Sequence, residues 1–210
     1  MNLIIIEQKA LLKSYSQRQQ AHPVSLTALQ EMTNDIQFQQ VQLVGKYDNS
    51  KQFLLDNRYY KRRLGYSVLT PFKPINGGAW ILVDRGWIAR GTSRTEIPTL
   101  KAITGQQTIE GAVYQPSAKT FRLGPNSEDA SQWPQRVQQL DMTDLAQVLG
   151  RDLSPFVVRL NPNQSHGFVR DWPTVTMSPQ RHRGYAIQWF ALALTLSIIY
   201  LAVNTTRREH

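Results

Sequence analysis

The sequence predicts a β-rich α+β protein, in which a small antiparallel barrel or sandwich with peripheral helices is followed by a C-terminal transmembrane helix. Three observations support this fold class. Runs rich in Val, Ile, Tyr, Phe and Trp recur from about residue 38 onward and are separated by Gly, Pro and Asn, which is typical of strands joined by turns. The mean hydropathy of the whole chain is -0.39, the value of a largely polar protein. Residues 184–203 nevertheless carry no charged side chain.

Two helices are predicted ahead of the strands. In segment 1–20 the spacing of Leu11 and Tyr15 by one helical turn favours a helix, which we expect to lie beside the membrane. A second, short helix is expected over residues 26–32, with Ser25 as its N-cap.

The soluble β-rich domain is predicted to span residues 21–180. Its strands are expected in the runs FQQVQLVGKY, LGYSVLTPF, GGAWILVDRGWIA, QQTIEGAVY and PFVVRLN. The residues INGG at 75–78 predict a hairpin turn, because Asn76 and Gly77 tolerate positive φ. The run MTDLAQVLG predicts a short helix that ends at Gly150.

The apolar segment 184–203 predicts a helix that spans a membrane. At about 1.5 Å per residue, its 20 residues reach roughly 30 Å, the thickness of a hydrocarbon layer. Aromatic side chains near both ends, and arginines outside them, suit the polar boundaries of a bilayer. The alternative is a buried core helix. Residues 204–210 form a short polar tail.

The composition excludes several classes of site. The chain contains no cysteine, which excludes disulfides, zinc–thiolate centres and thiol catalysis. It lacks a nucleophile elbow, a phosphate-binding loop and a dinucleotide fingerprint, and its four histidines do not have the spacing of metal hydrolases. We therefore expect no enzymatic activity. The net charge of +9 favours a membrane surface or a protein partner over nucleic acid, because no nucleic-acid motif accompanies it.

The run LVDRGWIAR contains the first group of candidate site residues, Arg85, Gly86 and Trp87. A guanidinium can bind a carboxylate of a partner, or a cofactor's propionate, through two parallel hydrogen bonds. Glycine permits a tight backbone, and tryptophan supplies a large flat surface. The alternative is structural: an internal ion pair between Arg85 and Asp84, with Trp87 in the core.

The second group lies at the start of the apolar segment. On a helix, His182, Tyr185 and Trp189 share one face with two alanines. An imidazole is a good ligand for haem iron, and aromatic rings can stack on a porphyrin. The alternative is an interfacial histidine that lies in the head-group layer.

Four motifs, GKYD, GYSVLTPF, ILVDRGWI and HRGYAIQWFALAL, follow one another in this order. Together they resemble the signature of the surfeit locus protein 1 family, the cytochrome c oxidase assembly factors, from about Glu7 to Val203. The resemblance implies a β-rich domain held outside the inner membrane between two transmembrane helices, and a role in inserting haem a into oxidase subunit I. It also implies that His182 is the haem ligand at the start of the second helix and that residues 85–87 are the family's Arg-Gly-Trp motif. Because the family has two such helices, we expect an apolar segment of about 20 residues ahead of Met1.

The resemblance leads us to expect a non-enzymatic haem a chaperone for an aa3-type oxidase. We expect it in the bacterial inner membrane, with its β domain on the periplasmic side. The residues expected to contact haem a are His182, Tyr185, Trp189 and Arg85, and Gln188 joins the Arg-Gly-Trp motif as a candidate partner-binding residue. The expected partners are subunit I, haem A synthase and membrane lipid, and not nucleic acid. The alternative function is a scaffold that binds no haem and stabilises subunit I or recruits haem A synthase.

Overall fold

The computed structural model describes residues 17–18, 20–32, 35–91, 96–116, 132–172 and 179–206, and within the last range it describes the side chains of 188–204. The chain divides into two compact units, Met1–Trp172 and Pro173–His210.

The first unit contains strands and short helices, and the second contains a single long helix among its described residues. In chain order the elements are β1 (Val24–Ser25), α1 (Leu26–Glu31), β2 (Gln40–Tyr47), β3 (Phe53–Tyr60), β4 (Arg63–Pro74), β5 (Trp80–Ala89), β6 (Gln107–Tyr114), β7 (Gln135–Val137), α2 (Met142–Leu149), β8 (Leu153–Leu160) and α3 (Pro179–Thr206).

Five of the strands form a closed barrel. Their order is β2, β6, β8, β5 and β4, and β4 returns to β2 through the pairing of Gly45 with Pro74 and of Tyr47 with Phe72. Neighbouring strands are antiparallel except for the parallel pair of β5 and β8. Closure gives each of these strands a hydrogen-bonded neighbour on both sides. The predicted β-rich fold is therefore confirmed, in the form of a barrel with additional strands and a few helices.

The remaining strands extend this barrel. β1 adds in parallel to β2, β3 pairs antiparallel with β4, and β7 adds in parallel to β3. Side chains alternate between the two faces of each strand, so Ile81 and Val83 of β5 join one buried cluster and Leu82 joins another. Leu145 and Leu149 of α2 belong to the cluster of Leu82, so this helix covers the outer face of the sheet.

The sequence located most of these elements. The five predicted strands correspond to β2, β4, β5, β6 and β8, whereas β1, β3 and β7 were not predicted. Ser25 caps α1 as expected, since its hydroxyl oxygen accepts a hydrogen bond from the amide of Ala28 at 3.2 Å. Gly150 ends α2 in the left-handed conformation, as expected.

The prediction for the INGG turn was partly wrong, and the prediction of a helix in segment 1–20 stays a prediction. In the β4–β5 turn, positive φ occurs at Gly77 and Gly78 and not at Asn76, so the INGG turn is shifted by one residue. The predicted helix in segment 1–20 lies almost entirely outside the described residues.

The predicted membrane span over 184–203 is not supported. α3 has 28 residues, but within the part of the chain that the structure describes, no helix is both long and apolar enough to cross a membrane.

Candidate functional site around Arg85, Gly86 and Trp87

Strand β5 bulges at Arg85 and Gly86. The register shifts between Ser67 and Leu69 of β4, so that these two residues of β5 lie opposite one residue of β4. Gly86 has a φ of 109°, which side chains with a Cβ atom rarely adopt. The glycine therefore permits the bulge.

The bulge also allows a second segment to approach β5. A Cβ atom on Gly86 would lie 2.6 Å from the carbonyl oxygen of Val169, which is too close for two non-bonded atoms. The Phe168 amide donates to the Arg85 carbonyl at 2.7 Å. Trp87 and Val169 exchange two backbone hydrogen bonds of 2.6 and 3.0 Å. The absence of a side chain at Gly86 thus lets residues 168–169 add to the edge of the bulge.

The side chain of Arg85 lies inside the protein and is only 2% exposed. Its Nε donates to the carbonyl oxygen of His166 at 3.0 Å, and its Nη2 contacts that of Lys101 at 3.5 Å. Its Nη1 donates to Gln52 Oε1 at 3.3 Å and to Thr70 Oγ1 at 3.4 Å. Arg85 therefore ties together β5, β4 and the segments around residues 52, 101 and 166.

No carboxylate balances the charge of Arg85 among the described residues. The guanidinium instead lies 4.9 Å from the ring centroid of Phe168 and 5.8 Å from that of Tyr47, at distances where a cation is attracted by an aromatic face. Burial lowers the pKa of Arg85, and the nearby Tyr47 opposes this shift. Burial likewise raises the pKa of Tyr47, whose hydroxyl has no hydrogen-bond partner among the residues that the structure describes.

Asp84 does not form the predicted alternative ion pair with Arg85. Adjacent residues of a strand point to opposite faces, and the Asp84 carboxylate accepts hydrogen bonds from Ser67 Oγ at 2.6 Å and from the Gly86 amide at 3.1 Å. Arg159 pairs with Asp84 in register across β5 and β8. Burial raises the pKa of Asp84, and the hydrogen bond from Ser67 and the positive charge of Arg159 limit that rise.

Trp87 is half-buried, so it does not occupy the core as the structural alternative predicted. Its indole Nε1 donates to the carbonyl oxygen of Arg58 at 3.0 Å. Its ring lies 5.4 Å from that of Tyr60, with a tilt of 45° between their planes. A Cβ on Gly65 would lie 2.6 Å from the indole, so this glycine leaves room for the ring. Trp87 is thus a positioned aromatic side chain at the protein surface.

The structure thus brings the Arg-Gly-Trp motif together with residues that sequence reasoning missed, namely Gln52, Thr70 and the segment 166–169. No local pattern identifies these partners, because they lie at least 15 residues from Arg85 in the chain, and His166 lies 81 residues away. Tyr47 is the exception, since it belongs to the quoted motif GKYD.

The second group of predicted site residues lies on α3. The backbone of His182 and Tyr185 is helical, and their side chains lie outside the described residues. Gln188 and Trp189 are exposed, and Trp189 shows 70% of its surface. The helix is continuous from Pro179 to Thr206, so the spacing that puts the imidazole and the rings on one face is present in the backbone.

Comparison with known proteins gives one consistent result. A protein-family model described as the SURF1 family matches residues 6–194. "SURF1-like protein" of Rickettsia conorii is 27% identical over 180 residues, which cover 82% of this chain and 72% of the relative. "Surfeit locus protein 1" of Takifugu rubripes is 22% identical over 197 residues, covering 87% and 80%, respectively. The protein of the same name from Mus musculus is 22% identical over 204 residues, covering 90% and 65%.

Proposed function

This chain belongs to the SURF1 family of cytochrome oxidase assembly factors, and on that premise we propose that it assists the insertion of haem a into subunit I of an aa3-type cytochrome c oxidase. The observation that carries the proposal is the match of the family model to residues 6–194, which include both the Arg-Gly-Trp motif and His182. The proposed role is that of a chaperone and not of an enzyme, so haem a is its cargo.

The donor chemistry at the start of α3 supports haem as the cargo. A neutral imidazole is a suitable axial ligand for haem iron, and we assign that role to His182. The side chains of Trp189 and Ala193, which lie on the same face of the helix as His182, are both exposed. An aromatic ring followed by a small side chain offers a flat macrocycle a stacking surface with little steric hindrance. We assign Tyr185 to the same surface from its position on the helix.

The burial of Arg85 bears on its predicted role as a ligand for a haem propionate. Four protein oxygen atoms already lie within hydrogen-bonding distance of its nitrogens. A propionate could reach the guanidinium only by displacing some of them. We therefore propose that Arg85 holds the bulge in place, and that Trp87 is the member of the motif that contacts a protein partner. Propionate binding by Arg85 stays a prediction.

The scaffold function is the second candidate, and the burial of the Arg85 side chain favours it. If the β domain contributes only a rigid, partner-facing surface, no haem is needed for its action. In both versions the partner is subunit I, and haem A synthase is a further candidate partner. We propose the bacterial inner membrane as the site of action, with the β domain on the periplasmic side; membrane fractionation and protease accessibility in spheroplasts test this location.

Absorption spectroscopy separates the two candidates. The protein is purified after co-expression with haem A synthase, and its Soret band is compared with those of His182→Ala and of His22→Ala, which changes an exposed histidine in the first unit. We expect a Soret band in the wild type and in His22→Ala, and its loss or a marked shift in His182→Ala at an equal protein level. The oxidase made beside His182→Ala should contain less haem a.

Two other results would redirect the assignment. Haem at full stoichiometry with an unchanged spectrum in His182→Ala would reject His182 as the ligand. Absence of a Soret band from the wild type, together with loss of oxidase when the gene is deleted, would favour the scaffold.

A further inference from the structure

The hairpin between β3 and β4 ends in a concentrated positive charge. Residues 57–63 read NRYYKRR and contain four cationic side chains and no acidic one. All four cations, at Arg58, Lys61, Arg62 and Arg63, are exposed. None of them forms an ion pair within the part of the chain that the structure describes. Their charge is therefore available to a partner.

The turn of this hairpin has an unfavourable backbone for its sequence. Tyr60 pairs with Arg63, which leaves Lys61 and Arg62 as a two-residue loop. Both have positive φ, at 46° and 64°. Turns of this kind favour Asn and Gly, and side chains such as these are strained there. Strained residues concentrate at functional sites, where the gain from function offsets the strain.

Aromatic side chains accompany the cations. Tyr59 shows 70% of its surface. The next residue, Tyr60, packs its ring against that of Trp87. The Lys61 ammonium lies 5.3 Å from the centroid of the Tyr60 ring. Tyr and Trp rings next to Lys and Arg are the side chains that occupy the head-group layer of a membrane.

We propose that the tip of the β3–β4 hairpin, residues 57–63, binds the anionic surface of a lipid bilayer. Clusters of four or more Lys and Arg residues attract acidic lipid head groups at the membrane surface. A lipid surface suits this site better than an acidic protein, because a convex turn of seven residues cannot bury the roughly 800 Å² per partner of a typical specific protein interface. This inference goes beyond the proposed function and does not depend on it.

A double substitution in the turn tests the inference without endangering the fold. In K61N/R62G, two cations are replaced by the residues that positive φ favours, so the variant should be at least as resistant to urea as the wild type. The control is K46Q/K73Q, which removes the same charge from two lysines that face each other near the opposite end of β4. The full-length protein is sedimented at low salt with phosphatidylcholine vesicles, with or without phosphatidylglycerol.

The quantity of interest is the gain in affinity that phosphatidylglycerol gives. Any binding by the exposed apolar side chains of α3 is shared by all variants and both kinds of vesicle, so it cancels. We expect K61N/R62G to bind the anionic vesicles about 30-fold more weakly, whereas K46Q/K73Q stays within a factor of about three of the wild type. Equal binding of both vesicle types by the wild type overturns the proposal. An equal loss in the two variants also overturns it, because it would indicate net charge and not the hairpin.

Discussion

Replacing Gly86 with alanine should be among the most destabilising single changes in the barrel. The alanine has to adopt the φ of 109° that the bulge requires, and a left-handed backbone costs a residue with a Cβ atom about 1–2 kcal/mol. The new methyl carbon would also lie 2.6 Å from the Val169 carbonyl oxygen. Residues 168–169 must then move away from β5.

The movement breaks the hydrogen bonds that join this segment to the bulge. There are three of them, from the amides of Trp87, Phe168 and Val169. At about 1 kcal/mol each, their loss adds up to about 3 kcal/mol to the backbone strain. We therefore expect Gly86→Ala to lower the free energy of unfolding by about 3–5 kcal/mol, a large part of the ~5–15 kcal/mol of a typical domain.

Urea denaturation of the full-length protein, followed by tryptophan fluorescence at 25 °C, measures this loss. Gly150→Ala is the matched control, because Gly150 also has positive φ, at 68°, but no atom of the described residues lies within 4 Å of the position of its added Cβ. Gly150→Ala should lower the free energy of unfolding only by the cost of the left-handed backbone, about 1–2 kcal/mol. Equal losses in the two variants would refute the argument, since the close approach of Val169 would then have no energetic weight.

Three further substitutions test the polar interior and its surroundings. Arg85→Lys should lower the free energy of unfolding by about 2–3 kcal/mol, because lysine cannot satisfy the same set of buried acceptors; a stable variant with impaired oxidase assembly would return Arg85 to a ligand role. Because burial raises the pKa of Tyr47 above 10.0, the folded state keeps a proton that the unfolded chain releases, so stability should fall as pH rises above about 10. Tyr47→Phe should remove that component of the fall and be at least as stable at pH 7, since no group in the described part of the chain is hydrogen-bonded to the hydroxyl; a clear loss at pH 7 would contradict this. Burial alone raises the pKa of Asp48, but hydrogen bonds from Ser50 and from Arg151, the latter at 2.6 Å, lower the pKa overall. The pair of Asp48 and Arg151 therefore stabilises the fold above about pH 4, and its contribution is lost as the pH falls. The guanidinium of Arg151 also lies 4.1 Å from the centroid of the Trp80 ring, a contact that pH does not change in this range. Arg151→Gln should therefore cost about 1 kcal/mol more at pH 7 than at pH 2, as urea titrations at both pH values would show.

The sequence predicted the strands with strong β-propensity but not the way they close. The run FLLDNRYY of β3 was not predicted, because Phe53, Leu54 and Leu55 are all buried and so show no alternation between apolar and polar residues. The pairing of β2 with β4 joins residues far apart in the chain. Such pairing depends on the packing of the whole barrel, which no local pattern encodes.

In the candidate site too, local features could be predicted from the sequence and long-range contacts could not. The need for glycine at residue 86 could be anticipated, since a tight backbone was expected there. An internal Arg85 was the structural alternative, but the partners that hold it could not be anticipated, because they come from distant parts of the chain. Its interior position depends on acceptors that the chain supplies from His166, Lys101 and Gln52. The sequence therefore identified the motif, and the structure revealed that its arginine faces inward.

The ends of the sheet have a consequence for the behaviour of the protein in a crowded cell. An exposed strand edge carries unpaired amide and carbonyl groups that recruit strands from other chains. In the described part of the chain, the sheet begins with β1 and ends with β7, which have two and three residues. The longer strands of the barrel have neighbours on both sides. A template of two or three residues offers too few hydrogen bonds to nucleate intermolecular β-structure. Residues 56–60 of β3, which have no strand pairing with β7, include the charged side chains of Asp56 and Arg58. Charged residues at an edge oppose pairing with another chain, so the domain should resist edge-to-edge aggregation even at high local concentration.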